Sequence, residues 1–274
     1  MKKVDSCSTP LSPLDLNRVS QRLKIKRLGG KFHYFAELGS TNVHAWALAE
    51  QGAAEGEVII AEMQTQGRGR LGRRWESPPA VNLYFSVILR PRLTTADAPQ
   101  ITLMAGVALA ETVDAFIEQR PVIKWPNDIL VDGRKLAGVL SEAACNSEHI
   151  DHVILGIGLN LNYRAVSMPP AIREQATSVA DLTGNNVDRE SVLVRLIHNL
   201  DRCYGELEDY GFETLQPRWD AYFGLRGRRV RIENQEQVLV GRAQGIDRTG
   251  ALMIEDDRGE LQNVYAGDVI PLES

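Results

Sequence analysis

The dipeptide Asp132-Gly133 stands between two apolar segments and restricts the fold more than any other feature of this chain. Residues 129–131 precede it and residues 135–142 follow it, so the two segments are predicted to form a β-hairpin with a two-residue turn. Along the whole chain the predicted order is helix, several strands, a long helix and more strands, without regular strand-helix alternation. That order favours an α+β class, a mixed β-sheet with packed helices, over a doubly wound parallel fold.

Periodicity and helix-end residues predict the other elements. We expect helices at about 15–23, 41–51, 99–118, 189–210 and 212–223, and strands at about 58–63, 82–89, 122–125 and 153–161. The second helix follows Ser40-Thr41-Asn42, whose hydroxyl or amide groups are typical of a helix N-cap.

Three regions are predicted from changes in composition and pattern. Residues 1–30 carry Ser, Pro and a Lys/Arg cluster and are interpreted as an N-terminal arm, and residues 31–224 form the main domain. From residue 225 to 274 short alternating strands separated by turns predict a small barrel.

Composition excludes several classes of protein. The net charge of −5 over 274 residues argues against a protein that coats nucleic acid or an anionic membrane. Neither a secretory signal nor a membrane-spanning apolar segment is recognisable, so we expect a cytoplasmic protein that binds no membrane and no specific DNA. The three cysteines are far apart and form no CxxC, so no metal site and no disulfide is predicted.

A segment rich in glycine and arginine, residues 67–75, is the strongest functional signal, and we call it the Gly-Arg loop. It has four arginines, three glycines and no acidic residue in a chain that is acidic overall. Arginine binds phosphate or carboxylate in a bidentate manner, and glycine lets backbone N–H groups turn towards an anion. We therefore predict an anion-binding loop that is mobile until the anion binds; a basic surface loop for nucleic acid is the alternative.

Three weaker signals follow in the sequence. The segment from Lys124 to Asp128 combines a cation, an aromatic ring, a proline and two polar residues, and it either binds phosphate, nucleotide or metal or is an ordinary β-turn. Lys135 interrupts an apolar strand and needs an acceptor. Gly156 and Gly158 lie within a strand, where glycine permits a ligand or another backbone to approach closely.

Together these motifs resemble those of biotin protein ligases, in the same order and spacing over residues 33 to 272. The motifs are Ser40-Thr41-Asn42, Gln64-x-x-Gly67-Arg68-Gly69-Arg70-x-Gly72-Arg73-x-Trp75, Lys124-Trp125-Pro126-Asn127-Asp128, Lys135-Leu136-x-Gly138 and Gly156-x-Gly158-x-Asn160. The resemblance implies a class II synthetase-like catalytic domain and a C-terminal SH3-like β-barrel. It also implies that biotin and ATP, with Mg²⁺, give biotinoyl-AMP and pyrophosphate, and that a lysine of the biotin carboxyl carrier domain of a carboxylase then takes the biotinoyl group.

The resemblance also assigns residues. It implies biotin contacts by Ser40, Thr41, Asn42, Gln64, Arg68, Gly69, Arg70, Lys135 and Gly138. It implies ATP contacts by Arg73, Trp75, Lys124, Asn127 and Asn160. Arg70, Lys124 and Lys135 are expected to carry the chemistry, with Arg70 restraining the activated intermediate.

Some members of the family also repress transcription through an N-terminal DNA-binding domain, which needs about twice the roughly 30 residues that precede these motifs. We therefore expect the short form without that domain, and a homodimer is possible. A lipoate or octanoate ligase or transferase of the same superfamily is the alternative enzyme, although it needs neither the Gly-Arg loop nor the barrel. A biotin or nucleotide sensor without turnover is the alternative outside enzymes, and the presence of the arginines and Lys124 disfavours it.

Overall fold

The computed structural model describes residues 12–25, 27–146, 149–233 and 238–272. The helices of the described chain are α1 (Leu16–Arg22), α2 (Thr41–Glu50), α3 (Pro99–Asp114), α4 (Pro170–Arg173), α5 (Val179–Thr183), α6 (Arg189–Tyr210) and α7 (Gln216–Tyr222). The strands are β1 (Lys31–Leu38), β2 (Glu57–Gln64), β3 (Leu83–Leu89), β4 (Val122–Lys124), β5 (Asp128–Val131), β6 (Arg134–Cys145), β7 (Ile150–Leu159), β8 (Arg229–Glu233), β9 (Val238–Ile246), β10 (Leu252–Glu255), β11 (Leu261–Val264) and β12 (Asp268–Pro271).

The first seven strands form one mixed sheet, as the element order predicts. Its strand order is β1-β2-β3-β7-β6-β5-β4, and β1 and β2 are parallel while the other neighbours are antiparallel. The predicted hairpin is confirmed, because β5 and β6 pair across Asp132 (φ 50°) and Gly133 (φ 75°). Both residues lie in the left-handed region that a primed turn requires.

Side-chain alternation gives the two faces of this sheet different roles. Val153, Leu155 and Ile157 of β7 point into the main core, which also contains the buried residues of α3 and α6. On the opposite face Ile154 packs against α2, and the positions near the other end of β7 are Gly156 and Gly158. The face that carries α2 therefore has large apolar side chains at one end and a shallow floor at the other.

Several predicted boundaries differ from the structure. α3 ends at Asp114 and not near residue 118, since the N–H groups of Ala115 and Phe116 bond to carbonyls three residues back and close the last turn. β1, a largely exposed edge strand without clean alternation, is not predicted from the sequence. The two shortest helices and β12 are also missed.

The described part of residues 1–30 packs on the main unit. Leu14, Val19 and Leu28 are buried in the same core as the sheet. Beside them, Arg189 and Glu62 form a buried ion pair of 2.7 Å, and Glu62 Oε1 also accepts a hydrogen bond from the Leu14 backbone N–H. This segment thus contributes to the core that supports the sheet, and a domain boundary at residue 30 stays a prediction.

The last five strands form a separate antiparallel sheet in the order β11-β10-β9-β8-β12. Within the described residues β11 and β12 do not pair with each other, so a closed barrel is not confirmed. Hydrogen bonds from Trp125 Nε1 to the Gly250 carbonyl (3.0 Å) and from Gln100 Nε2 to the Arg248 carbonyl (3.1 Å) join this sheet to the main unit. None of the described helices is both long and apolar enough to cross a membrane.

Candidate active site

The start of α2 is tied to the end of β2. Ser40 has the extended conformation of an N-cap residue, but its hydroxyl makes no capping bond, contrary to the expectation. Instead, Gln64 Oε1 accepts from the Thr41 backbone N–H (2.8 Å) and from Thr41 Oγ1 (3.1 Å). The backbone N–H of Thr41, which has no partner within the helix, is therefore satisfied by a side chain of β2. Among the described residues the Ser40 hydroxyl has no hydrogen-bond partner.

A buried polar chain continues from Thr41. Ser86 Oγ lies 2.8 Å from Thr41 Oγ1 and 2.6 Å from Asn42 Oδ1, and its single proton can serve one of them at a time. Asn42 Nδ2 donates to the Leu140 carbonyl (3.2 Å) and to Glu142 Oε2 (2.8 Å). The side-chain donors and acceptors of Thr41 and Asn42 are thereby held in fixed directions.

The glycines of β7 are required by side chains. A Cβ at Gly156 would lie 2.0 Å from Asn42 Oδ1, and one at Gly158 would lie 2.4 Å from Trp75 Cε2. In the structure the groups that approach these glycines are the amide of Asn42 and the indole of Trp75, which the sequence interpretation did not include; close approach by a ligand stays a prediction. Both side chains line the pocket above this floor.

The Gly-Arg loop is closed at its base in the structure. Its ends are joined by a hydrogen bond from the Trp75 N–H to the Gly67 carbonyl (3.0 Å), and its tip turns through Leu71 (φ 56°) and Gly72 (φ 72°). A Cβ at Gly67 would lie 2.4 Å from the Trp75 carbonyl oxygen, so only glycine permits this closure. That the loop becomes ordered on binding an anion stays a prediction.

Each arginine of the loop has a polar or charged partner, and the partners of Arg68, Arg70 and Arg73 lie in distant parts of the chain. Arg68 Nη2 lies 3.0 Å from Glu142 Oε1 on β6, and Arg70 Nη1 donates to Asn127 Oδ1 at 3.0 Å. Arg73 pairs with Asp268 of β12, and Arg74 pairs with Glu76 at 3.6 Å.

Arg70 is the arginine of this set that reaches deepest. Burial lowers the pKa of its guanidinium, whereas the carboxylates of Asp268 and Asp128 act in the opposite direction. Because a guanidinium is so strongly basic, Arg70 remains a cation at any working pH.

Lys135 has the acceptor that the sequence requires. Its Nζ lies 2.7 Å from Asp128 Oδ1, and it stands 5.2 Å from the centroid of the Trp75 ring. Lys124, by contrast, makes no ion pair with any described residue, and it faces a cavity. One lysine is therefore compensated by a carboxylate, and the other supplies uncompensated positive charge.

Two adjoining cavities contain all the predicted site residues. The smaller, with a free volume of about 50 Å³, is lined by each of the nine residues predicted to contact biotin. The larger, of about 660 Å³, is lined by each of the five residues predicted to contact ATP and also by Asp268, Val269 and Ile270 of β12. Arg70, Asn127 and Lys135 line both cavities, so they stand at the junction.

Asn160 differs from the other predicted nucleotide contacts. Its Oδ1 accepts from Asn82 Nδ2 (3.1 Å) and its Nδ2 donates to the Thr177 carbonyl (3.1 Å). The amide of this buried residue supports the cavity wall, and a direct contact with a nucleotide stays a prediction.

Sequence reasoning missed three polar side chains of the site, namely Ser86, Glu142 and Asp268. Glu142 had a detectable signal, because it lies four residues beyond Gly138 on the same face of one strand. Asp268 had no detectable signal in the sequence, since it reaches the site from the C-terminal sheet.

Two family models and several relatives match this chain. The model of the biotin/lipoate A/B protein ligase family matches residues 34–160, and the model of the biotin protein ligase C-terminal domain matches residues 226–270. The biotin-[acetyl-CoA-carboxylase] ligase of Mycobacterium tuberculosis is 36% identical over 251 residues, which cover 86% of this chain and 87% of that protein. The ligase of the same name from Paracoccus denitrificans is 33% identical, over 85% of this chain and 98% of that protein.

The fold matches as well. The biotin protein ligase of Aquifex aeolicus, solved in complex with biotin and ATP, superposes with a TM-score of 0.77 at 28% identity, covering 90% of this chain and 100% of the other. Sequence and fold together show that this chain belongs to the biotin protein ligase family.

Proposed function

We propose that the two cavities of this biotin protein ligase, which activates biotin with ATP and transfers it to a protein, bind different substrates. The observation that carries the proposal is the junction: Arg70, Asn127 and Lys135 line both cavities. A reaction between two bound substrates needs their reacting atoms side by side. We place biotin in the smaller cavity and ATP in the larger one.

The smaller cavity has the polar groups that a ureido ring requires. The Ser40 hydroxyl has no partner among the described residues, and Thr41 and Gln64 present oriented donors and acceptors. The buried Nε1 of Trp75 also lacks an acceptor in the described part of the chain. Since the free volume of about 50 Å³ holds only one or two water molecules, biotin enters by displacing side chains of the Gly-Arg loop.

The larger cavity carries the positive charge that the first step demands. A biotin carboxylate oxygen attacks the α-phosphorus of ATP, the new O–P bond forms, and the bond to pyrophosphate breaks. Both reactants are anions, so cations at the point of attack lower the barrier. Arg70, Lys124 and Lys135 supply this charge, and Arg73 faces the departing phosphates.

In the second step a neutral lysine amine attacks the acyl carbon, and AMP leaves. The amine loses its proton as the amide bond forms, and no side chain of the ligase itself has to act as a nucleophile. We propose that the acceptor lysine belongs to the biotin carboxyl carrier domain of a biotin-dependent carboxylase, which the names of the relatives support.

Mg²⁺ fits this arrangement as part of the ATP substrate. The described residues contain no group of three or more His, Cys, Asp or Glu side chains that could hold a metal ion. Mg²⁺ usually binds through phosphates, waters and one or two protein oxygens. Asn127 Oδ1 is such an oxygen in the larger cavity, and the ion would neutralise phosphate charge there.

The C-terminal sheet completes the nucleotide cavity through β12. We propose an SH3-like topology for it, supported by five short antiparallel strands with a bulge between β9 and β10. We also propose a cytoplasmic location, supported by Cys145 and Cys203, which are free thiols.

One assay tests the function. The protein is incubated with labelled biotin, ATP, Mg²⁺ and a carrier domain, and we expect ATP-dependent label on one carrier lysine together with pyrophosphate release. Lipoate and octanoate serve as competing acyl substrates. Preferential transfer of either would favour the alternative enzyme, and tight biotin binding without pyrophosphate release would favour a sensor.

A further inference from the structure

We propose that Glu142 is a positioning residue that holds the biotin pocket and the Gly-Arg loop together, and so retains the activated intermediate. This inference rests on the proposed placement of biotin in the smaller cavity. Glu142 lies on β6 and lines neither cavity, so its effect is exerted through Asn42 and Arg68.

The two carboxylate oxygens of Glu142 have different partners. Oε2 accepts from Asn42 Nδ2 at 2.8 Å, and Oε1 lies 3.0 Å from Arg68 Nη2. Asn42 belongs to the first turn of α2 and lines the pocket, and Arg68 belongs to the Gly-Arg loop, which also lines it. The side chain of Glu142 therefore joins α2 to the loop.

The Asn42 contact is part of a longer chain. Asn42 Oδ1 lies 2.6 Å from Ser86 Oγ, which in turn lies 2.8 Å from Thr41 Oγ1. Glu142 Oε2 and the more distant Leu140 carbonyl (3.2 Å) both accept from Asn42 Nδ2, and together they fix which end of the amide faces Ser86. Loss of Glu142 would leave only the longer of these two bonds and would loosen the amide and the polar chain that faces biotin.

The Arg68 contact has a different character. The Arg68 side chain is 49% exposed and the Glu142 side chain 26%, so the pair is half-buried and partly screened by salt. Among the described residues, Glu142 is the carboxylate that Arg68 pairs with, and the loop cannot lift without breaking this contact. The pair thus opposes opening of the loop, while the Asn42 bond shapes the pocket whether the loop is open or closed.

Two substitutions separate these contacts. Glu142→Gln keeps an oxygen for Asn42 but presents an amide N–H₂ to Arg68, whereas Glu142→Ala removes both contacts. Glu142→Asp keeps the charge on a shorter side chain. Glu233→Gln is the matched control, because it breaks an exposed ion pair of 2.8 Å with Arg231 in the C-terminal sheet.

The readouts are the KM for biotin, the rate of pyrophosphate release, and the labelling of a bystander protein by escaped biotinoyl-AMP. For Glu142→Gln we expect an unchanged KM and about 2- to 5-fold more bystander labelling, as for loss of a partly exposed ion pair. For Glu142→Ala we expect the same leakage and a KM for biotin about 3- to 10-fold higher. Glu142→Asp should restore much of the retention, and the control should match wild type.

Salt provides an independent readout. Raising NaCl should increase leakage from wild type by a larger factor than leakage from Glu142→Gln, because the variant lacks the Arg68 ion pair and keeps only the pairs of Arg73 and Arg74 for salt to screen. The inference would be overturned if Glu142→Gln labelled the bystander protein no more than wild type does. It would also be overturned if the Gln and Ala variants raised the KM for biotin equally and in proportion to their loss of melting temperature. A wild-type protein that makes no biotinoyl-AMP would instead overturn the proposed function.

Discussion

Arg73 of the Gly-Arg loop forms an ion pair with Asp268, the first residue of β12 in the C-terminal sheet. Both residues line the larger cavity. The contact joins the C-terminal sheet to the Gly-Arg loop at the larger cavity, where we propose that the ATP phosphates bind, so we expect the C-terminal unit to direct a loop arginine towards the nucleotide.

Replacement of Asp268 with Asn should therefore raise the KM for ATP and leave the KM for biotin unchanged. The increase should be about 2- to 5-fold at low salt, since the Arg73 side chain is 66% exposed and the pair is screened. Steady-state pyrophosphate release measures both constants, and Asp257→Asn, which breaks an exposed pair with Arg229, is the control. A lower KM for ATP would mean that Asp268 holds Arg73 away from the phosphates.

Replacement of Lys135 with Ala should weaken biotin and biotinoyl-AMP binding about 10- to 150-fold, because a charge-assisted hydrogen bond worth about 1.5–3 kcal/mol is lost. Part of that loss comes from Asp128, which is left without its cation. Calorimetry on Lys135→Ala, Asp128→Asn and the double variant separates the two contributions. Unchanged biotin affinity in Lys135→Ala would make Lys135 a structural lysine.

Replacement of Arg70 with Gly should release biotinoyl-AMP early and still allow its synthesis. Arg70 bridges the loop to Asn127 at 3.0 Å, whereas the charge for adenylation also comes from Lys124 and Lys135. Escaped biotinoyl-AMP acylates exposed lysines, so the variant should label albumin in a concentration-dependent way while wild type labels the carrier. Equal albumin labelling by both proteins, with a loop already protected from protease without ligand, would falsify the clamp.

Replacement of Glu111 with Gln should lower the melting temperature at pH 7 by about 3 to 10 °C, through loss of charged hydrogen bonds on a chain of this length. Arg218 binds the Glu111 carboxylate with two hydrogen bonds, at 2.7 and 2.8 Å. Burial alone would raise the pKa of Glu111, but hydrogen bonds from Arg218 and Arg202 outweigh it and lower the pKa below 4.5.

A carboxylate with a lowered pKa contributes stability above its unfolded pKa and loses it as the pH falls through the folded one. The difference between wild type and Glu111→Gln should therefore be full above about pH 4.5 and should shrink below it. Thermal unfolding between pH 3 and pH 7 checks this, with the exposed Glu118→Gln as control. A difference that is independent of pH would show that packing, and not charge, stabilises this cluster.

Local patterns in the sequence determined the class of fold and most of the candidate site. The Asp132-Gly133 turn and the nearly continuous apolar run along β7 are local features, so the hairpin and the strand could be predicted from the residues themselves. The site motifs could be recognised for the same reason, because each is a short segment whose residues reach the pocket from one strand end or one loop.

Contacts between distant segments were decided only by the tertiary structure. Glu142 meets Arg68 across 74 positions of the chain, and Asp268 meets Arg73 across 195. The glycines of β7 are needed because Asn42 and Trp75 lie over them. The sequence of a strand does not show which side chains from other elements will pack over it. Such pairs depend on where helices, loops and the second sheet pack on the first, and that packing is a property of the whole folded chain.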